Sequence, residues 1–336
     1  MKKTGFATIG TSKITRRFLS AARECEDFEL VAVYSRDMNK AESFAKEQGA
    51  KKYYDSVEAL AADPEVEAVY VASPNHMHYE QTMKLLQAGK HVLCEKSLAS
   101  NYREAWEMIQ TARERELILL EAVRLIFDPG LQAVLEGMSR LGAVRRADIR
   151  FCQYSSRYDS FKEGQEHNIF CRECSAGALM DIGVYCVHEL LHLLGMPEEI
   201  KGFSVMLRGN IDGEGDFLAK YPDKIARVSY SKITNSPLPG EIQGENGVLL
   251  FEGTGGCPEH VKIIYRDGRE ELLYQREPLN DMKYELEVFL KMLRGEEDAA
   301  PHMQRSLDAM KLMDEMRRQC KITFPADEYA DIVKRS

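Results

Sequence analysis

Over its first 120 residues the chain alternates short apolar runs with helical patterns, and few architectures accept that grammar. TGFATIG (4–10) reads as a strand and ITRRFLSAAREC (14–25) as a helix; FELVAVYS (28–35) and KAESFAKEQG (40–49) repeat the pair, the helix ending at Gly49. EAVYVAS (67–73), KHVLCE (90–95) and LILLEA (117–122) are further strands, with helical segments near 76–88 and 101–115. Strands separated by helices pair in parallel, because each crossover returns the chain to the same end of the sheet, and the helices cover both faces. The expectation is α/β: a doubly wound Rossmann sheet over residues 1–122.

After Phe127-Asp128-Pro129 the pattern changes. A helix near 129–139 leads to a long strand, AVRRADIRFCQYS (143–155), a loop to Ser175 and a helix over about 177–194. From Ile200 to Tyr274 come six or so strand-like runs with hairpin signals at Asn246-Gly247 and Asp267-Gly268, and two helices near 281–294 and 303–319 close the chain. Residues 123–336 therefore read as a second, α+β domain with a largely antiparallel open sheet, in keeping with a chain of 336 residues that exceeds one ordinary core. The formal charge of −9 argues against nucleic acid or an anionic membrane surface as partner. With neither a secretory signal nor a membrane-length apolar stretch expected, the eight cysteines read as free thiols of a cytoplasmic protein.

The helix after the loop contains His188-Glu189-Leu190-Leu191-His192, an H-E-x-x-H that in a zinc protease would hold the metal. At about 100° per residue, Asp181, Tyr185, His188 and His192 share one narrow polar stripe while apolar side chains fill the remaining circumference. The position for a third metal ligand holds Glu198, beyond Pro197. The stripe suits a catalytic cleft better than a metal, with His188 facing a substrate pocket and His192 a satisfied core histidine. His167, Cys171, Cys174 and Cys186 also lie close in sequence, but no second C-x-x-C accompanies Cys171 and Cys174. No metal is expected.

Parallel sheets bind ligands beyond the carboxyl ends of their strands. The first strand delivers Ile9-Gly10-Thr11-Ser12-Lys13-Ile14, where Gly10 allows a tight turn and the following helix offers free N–H groups to a phosphate. The second strand ends at Ser35-Arg36. An acidic residue here would favour NAD; Arg36, with Ser35 and Lys40, leans to the 2′-phosphate of NADP, and Asp37 keeps NAD open.

Two later strands end in ASPNHMHYEQ (72–81) and GKHVLCEKSLA (89–99), and the second-domain helix begins AGALMDIGVY (176–185). In this order and spacing, Ser73, Pro74, Asn75 and His78, then Glu95-Lys96, then Asp181 and Tyr185, resemble the glucose–fructose oxidoreductase/inositol dehydrogenase (Gfo/Idh/MocA) family over essentially the whole chain. The tyrosine resembles the branch that holds the dimeric dihydrodiol dehydrogenases. The resemblance implies an NAD(P)-dependent oxidoreductase of a sugar, polyol, cyclitol or diol, and a homodimer or homotetramer formed through the second-domain sheet. It implies that Lys96 and Tyr185 flank the reacting carbon from different domains, with Lys96 lowering the pKa of the Tyr185 base and Asp181 orienting a substrate hydroxyl. Arg157, Asn168 and His188 are further substrate-side candidates. A non-catalytic NADP(H) sensor of the same fold is the alternative. Two positions depart from the family pattern. Ser97 replaces its usual proline, so the bond after Lys96 is expected to be trans. Ile126 stands where an arginine usually precedes Phe127, and Arg124 lies two residues earlier.

Overall fold

The structure, a computed structural model, describes residues 3–253, 256–277 and 280–328. It divides into two compact units: Met1–Ala122 with Asn280–Leu307, and Val123–Leu279 with Asp308–Ser336. The division drawn from sequence is contiguous; the compact units are not, since a segment near the end of the chain packs with the first.

In the first unit six strands form one parallel sheet in the order β3-β2-β1-β4-β5-β6. They are β1 (Thr4–Ile9), β2 (Phe28–Tyr34), β3 (Lys52–Tyr54), β4 (Ala68–Val71), β5 (His91–Glu95) and β6 (Leu119–Ala122). Helices α1 (Lys13–Ala22), α2 (Met38–Gln48), α3 (Val57–Ala62), α4 (His78–Gln87) and α5 (Tyr102–Glu114) make the crossovers. The strand order reverses between β1 and β4, the switch point at which such sheets take ligands. The three-residue β3 is absent from the sequence reading, being too short and too polar at its start to show a period. Beneath the sheet an aromatic cluster joins Phe6, Phe28, Phe18 and Tyr70, with Phe18 and Tyr70 stacked at 3.8 Å.

The second unit holds α6 (Pro129–Met138), β7 (Val144–Cys152), the short α7 (Tyr158–Lys162), α8 (Val184–Leu194) and seven strands after it. Those are β8 (Glu199–Leu207), β9 (Ile211–Lys220), β10 (Ile225–Ser231), β11 (Gly240–Gly244), β12 (Gly247–Glu252), β13 (His260–Tyr265) and β14 (Glu270–Gln275). The sheet runs β14-β13-β12-β11-β7-β10-β9-β8, and only β7 and β10 pair in parallel. Both hairpins signalled in the sequence form, as β11–β12 and β13–β14. Helix α8 lies on β7 and β10. The expectation of no membrane-length apolar stretch needs correction: Arg172–Leu194 is 23 residues and apolar enough to span, but 78% of its apolar window is buried in the protein. A core helix covered on most sides reads this way by composition alone.

The last helices are α9 (Met282–Leu293) and α10 (Ala300–Cys320). Helix α9 packs on α1 and brings Phe289 to 5.9 Å from Phe6.

Candidate active site

Each turn expected to bind the cofactor leaves the carboxyl edge of the parallel sheet. Gly10 has φ +111°, and a Cβ there would stand 2.7 Å from the Ala72 carbonyl oxygen, so only glycine lets the turn after β1 pass the turn after β4. Ser12 sits at the N-cap of α1 without a side-chain cap, and the first turn carries no acid. Its N–H groups and the exposed Lys13 thus make the positive end at which a pyrophosphate is favoured, while Arg16 and Arg17 are paired with Glu47 and Asp281. Thr11 and Ile14 flank this turn and are half-buried.

At the end of β2, Arg36 and Lys40 are exposed and Ser35 is half-buried. Asp37, which left NAD open, faces its own helix: its Oδ1 accepts the N–H groups of Asn39 at 3.0 Å and Lys40 at 3.3 Å. A carboxylate used as a helix cap is a poor candidate for ribose hydroxyls. Lys40 Nζ lies 3.9 Å from the other oxygen of Asp37, so Arg36 sets the net positive charge of this edge.

The turns after β4 and β5 are joined by His78. Its Nδ1 lies 2.9 Å from the Ser97 carbonyl and its Nε2 2.8 Å from that of Ser73. The ring is wholly buried, and desolvation lowers its pKa against the pull of the two carbonyls. His78 was expected among the cofactor contacts; with no surface of its own, it instead holds Ser73-Pro74-Asn75 against the Lys96–Ser97 turn. Glu95 is also turned inward, bonding the Tyr70 hydroxyl. Lys96 is half-buried at the strand end. The Lys96–Ser97 bond is cis, so the trans expectation is overturned. Ser97 is buried, its carbonyl meets His78, and the next N–H, of Leu98, donates to Glu121 Oε1 at 2.9 Å.

In the second unit the site helix differs from the regular α-helix expected over 177–194. Leu179–Gly183 is a π-helical turn that leads into α8. Bonds to the fifth residue widen that turn, so the 100° bookkeeping that put Asp181 and Tyr185 in one stripe fails across it. The turn begins at Gly177, φ +110°, where a Cβ would lie 2.0 Å from Asp212 Oδ1. The other oxygen of Asp212 accepts the Leu179 N–H at 2.7 Å. Burial pushes the Asp212 carboxyl up to about 6 although backbone N–H groups hold it down. This residue of β9 thereby caps the helix from outside, which no local sequence pattern announces.

Asp181 makes an ion pair with Lys232, the residue after β10, and Lys232 is buried. Tyr185 is buried except for a small edge, with the Arg124 guanidinium 5.4 Å from its ring centroid and Phe151 packed at 5.8 Å. Arg124 Nη1 also donates to Cys257 Sγ at 3.2 Å. The arginine displaced in sequence still reaches the tyrosine, because residues 124–127 form a 3-10 turn beside α8. Sequence reasoning noted Arg124 only as a displacement, and it did not find Lys232, which reads as an ordinary lysine at a strand end.

Other expected residues fare differently. His188, expected to line a substrate pocket, is 2% exposed, so it offers a ligand almost no surface. Glu189 faces a cavity of about 300 Å³ that Tyr185, Cys186, Arg150 and Phe251 also line. Burial alone raises its carboxyl to about 8, which keeps it protonated at neutral pH. Arg157 and Asn168 are exposed on a segment anchored by Tyr158, Phe161 and Phe170, with Arg208 over the Phe161 ring at 3.9 Å. Of the four clustered metal candidates, Cys171 and Cys174 stay side by side, with Cys171 Sγ also meeting Glu173, while the other two point elsewhere: His167 Nε2 meets Ser160 Oγ at 2.7 Å and Cys186 Sγ points at the Ser229 carbonyl.

A dinucleotide-type sheet with its ligand turns intact, followed by an open mixed sheet that carries an acid and a tyrosine on a covering helix, defines a two-part oxidoreductase. Residues 4–122 match the oxidoreductase family with an NAD-binding Rossmann fold, and residues 135–250 match the GFO/IDH/MocA C-terminal domain. The chain belongs to the Gfo/Idh/MocA oxidoreductase family. It is 42% identical over 325 residues to scyllo-inositol 2-dehydrogenase (NADP(+)) IolU of Bacillus subtilis (strain 168), covering 96% of this chain and 99% of that protein. The trans-1,2-dihydrobenzene-1,2-diol dehydrogenase of Macaca fuscata fuscata is 29% identical over 318 residues, covering 90% of this chain and 92% of that one. Among solved structures, a variant of the 3-ketoreductase KijD10 from Actinomadura kijaniata, in complex with NADP, superposes with TM-score 0.85 at 25% identity, covering 96% of this chain and all of that one.

Proposed function

We propose that the protein is an NADP(H)-dependent dehydrogenase that moves a hydride between the nicotinamide and a hydroxyl-bearing carbon of a neutral cyclitol, sugar or vicinal diol. The observation that carries this reading is the pairing of Tyr185 with a cation in its own unit: Arg124 stands over the ring at 5.4 Å. Positive charge at that range favours a phenolate, the form in which a tyrosine accepts a proton.

Bound NADP(+) would supply the hydride acceptor; the protein supplies binding, orientation and the proton's destination. Gly10, Thr11, Ser12 and the N-terminus of α1, with Ile14 packed behind them, hold the pyrophosphate. Ser35, Arg36 and Lys40 take the 2′-phosphate, a reading favoured by the engagement of Asp37 as a helix cap. Ser73, Pro74, Asn75 and Lys96 at the end of β5 line the nicotinamide half, and Glu95 anchors that strand end through Tyr70. Lys96 hydrogen-bonds the reacting oxygen, Tyr185 takes the hydroxyl proton, and Asp181 accepts a hydrogen bond from a neighbouring hydroxyl. Arg157 and Asn168 extend the substrate side.

The first unit is thus the dinucleotide-binding part, and the second the substrate and assembly part. The name of IolU supports a cyclitol, and the diol dehydrogenases support a vicinal pair of hydroxyls. A homodimer or homotetramer through the outer sheet face accords with Phe203, Leu218 and Ile225, which are 86%, 52% and 50% exposed. Eight cysteines, none of them joined in a disulfide among the described residues, favour the cytoplasm. The test is NADP(+) reduction, followed by absorbance, over a panel of inositols, aldoses and diols. NADP(+)-dependent turnover of a cyclitol or diol supports the proposal; tight NADPH binding without turnover of any member favours the sensor instead.

A further inference from the structure

We infer that Lys232 is a positioning residue for Asp181, and through it fixes which substrate group the site accepts; this rests on the dehydrogenase reading above. Lys232 is held firmly. Its N–H donates to the Gly213 carbonyl at 2.8 Å, and its own carbonyl accepts the Ser155 N–H at 2.9 Å. The turn beyond it is closed by Ser231 Oγ, which accepts the N–H groups of Ile233 at 3.1 Å and Thr234 at 2.9 Å and donates to Glu214 at 2.9 Å. From this anchor the ammonium reaches Asp181 Oδ2. The π-helical turn that carries Asp181 packs on β9 and β10, which brings the carboxylate to the exit of β10.

The two partners are unequally exposed. The Lys232 side chain is 9% accessible and that of Asp181 is 28%. An ammonium so deeply buried is strongly destabilising without its counter-charge, so the pair holds both groups in one geometry. The lysine lies behind and the acid presents the accessible edge. An ionised carboxylate only accepts hydrogen bonds. A ligand group facing Asp181 must therefore donate, as the hydroxyl of a neutral polyol does; a ligand carboxylate or phosphate there would be repelled. The acids on β9 are engaged elsewhere, Asp212 on the Leu179 N–H, Glu214 on Ser231 and Thr234, and Asp216 on Arg227. Lys232 thus acts on the substrate only through Asp181.

The experiment compares wild type with Lys232→Met and Lys232→Arg, after NADPH affinity and far-ultraviolet circular dichroism have shown each to be folded. With NADP(+) and scyllo-inositol as probe, Lys232→Met should raise KM on the order of 10–100-fold while kcat changes by only a few-fold, and Lys232→Arg should recover most of the loss. Calorimetric titration of scyllo-inositol into the NADPH complex should show the same weakening without turnover. A Lys232→Met enzyme that is less heat-stable but keeps wild-type KM and polyol affinity would overturn the inference, leaving a purely structural ion pair. Should the Met variant not fold, Lys232→Gln takes its place: an Arg variant that recovers the affinity lost in Lys232→Gln supports the inference, and an Arg variant indistinguishable in KM from Lys232→Gln overturns it. If wild type binds the polyol but never oxidises it, the dehydrogenase reading fails while the affinity comparison still decides the role of Lys232. If wild type binds no polyol, both fail.

Discussion

The carboxyl edge of the parallel sheet and the helix face of the second unit do chemically different work. At the edge, the groups that matter are largely backbone: a glycine turn, a helix N-terminus, and carbonyls tied together by His78. On the helix face they are side chains, each set by a partner distant in sequence: Arg124 for Tyr185, Lys232 for Asp181, Asp212 for the start of the helix. Backbone geometry is written locally, in the residue that needs it. Side-chain electrostatics is written in pairs, and one member of each pair is silent in the sequence.

If the helix face carries the chemistry, removing its phenol should have the largest effect. Tyr185→Phe is expected to lower turnover on the order of 10²–10⁴-fold with NADPH affinity unchanged, measured by steady-state kinetics and cofactor titration. Near-normal turnover would move the chemistry away from the helix. Replacing the cation over the ring, Arg124→Met, should cost less, roughly 10-fold or more in kcat, and should shift the pH–rate profile to higher pH because the phenolate loses a nearby positive charge. A fall in activity with no movement of the profile would make Arg124 a packing residue.

The edge should answer in binding rather than in rate. Arg36→Ala should weaken NADPH by roughly 10–100-fold, the worth of one or two charge-assisted hydrogen bonds, and leave NADH almost untouched. Equal losses for both cofactors would show that Arg36 does not meet the 2′-phosphate. A smaller effect separates the helix from its surroundings. Glu189 has its carboxyl raised from 4.5 to about 8, so the folded state holds a proton that the unfolded state releases. Its stabilising contribution is complete below pH 4.5 and is lost as pH rises through 8. Glu189→Gln should accordingly unfold in urea like wild type near pH 4.5 and be more stable, by on the order of a few kcal/mol, above pH 8. A constant difference at every pH would show that the acid does not titrate there. The smallest expected effect is none: prolonged chelation should change neither folding nor activity, and one stoichiometric zinc would revive either the H-E-x-x-H or the cysteine-cluster reading.

Most of the parallel sheet could be read from the chain, since an apolar run of four to seven residues followed by a helical period has few other uses. Its failure at β3 is instructive, for three residues are too few to show any period. Gly10, Arg36 and Lys96, the residues proposed to meet the cofactor, were legible as the ends of strands already placed. The helix from 179 to 194 was recognised, but the rule that found it assumes regular turns, and the π-helical turn at Asp181 breaks that rule. His78 and His188 were read as ligand groups because a sequence displays a polar residue without its burial. Lys232 and Asp212 were not read at all. Both terminate or begin strands, where polar residues are common, and only the tertiary pairing of β9 and β10 with the helix gives them meaning.

The return of residues 280–307 to the first unit has a consequence for the order in which the protein is made. Helix α9 completes the aromatic cluster through Phe289, and its neighbourhood is fastened by Arg17 to Asp281, Asn280 to the Arg17 carbonyl and Arg294 to Asp27. A ribosome releases these residues only after the whole second sheet has emerged, so the amino-terminal sheet waits, with Phe6 and the buried face of α1 short of their cover, while some 150 further residues are synthesised. A nascent chain arrested before residue 280 should therefore be open to proteolysis in α1, and should become protected when synthesis passes α9.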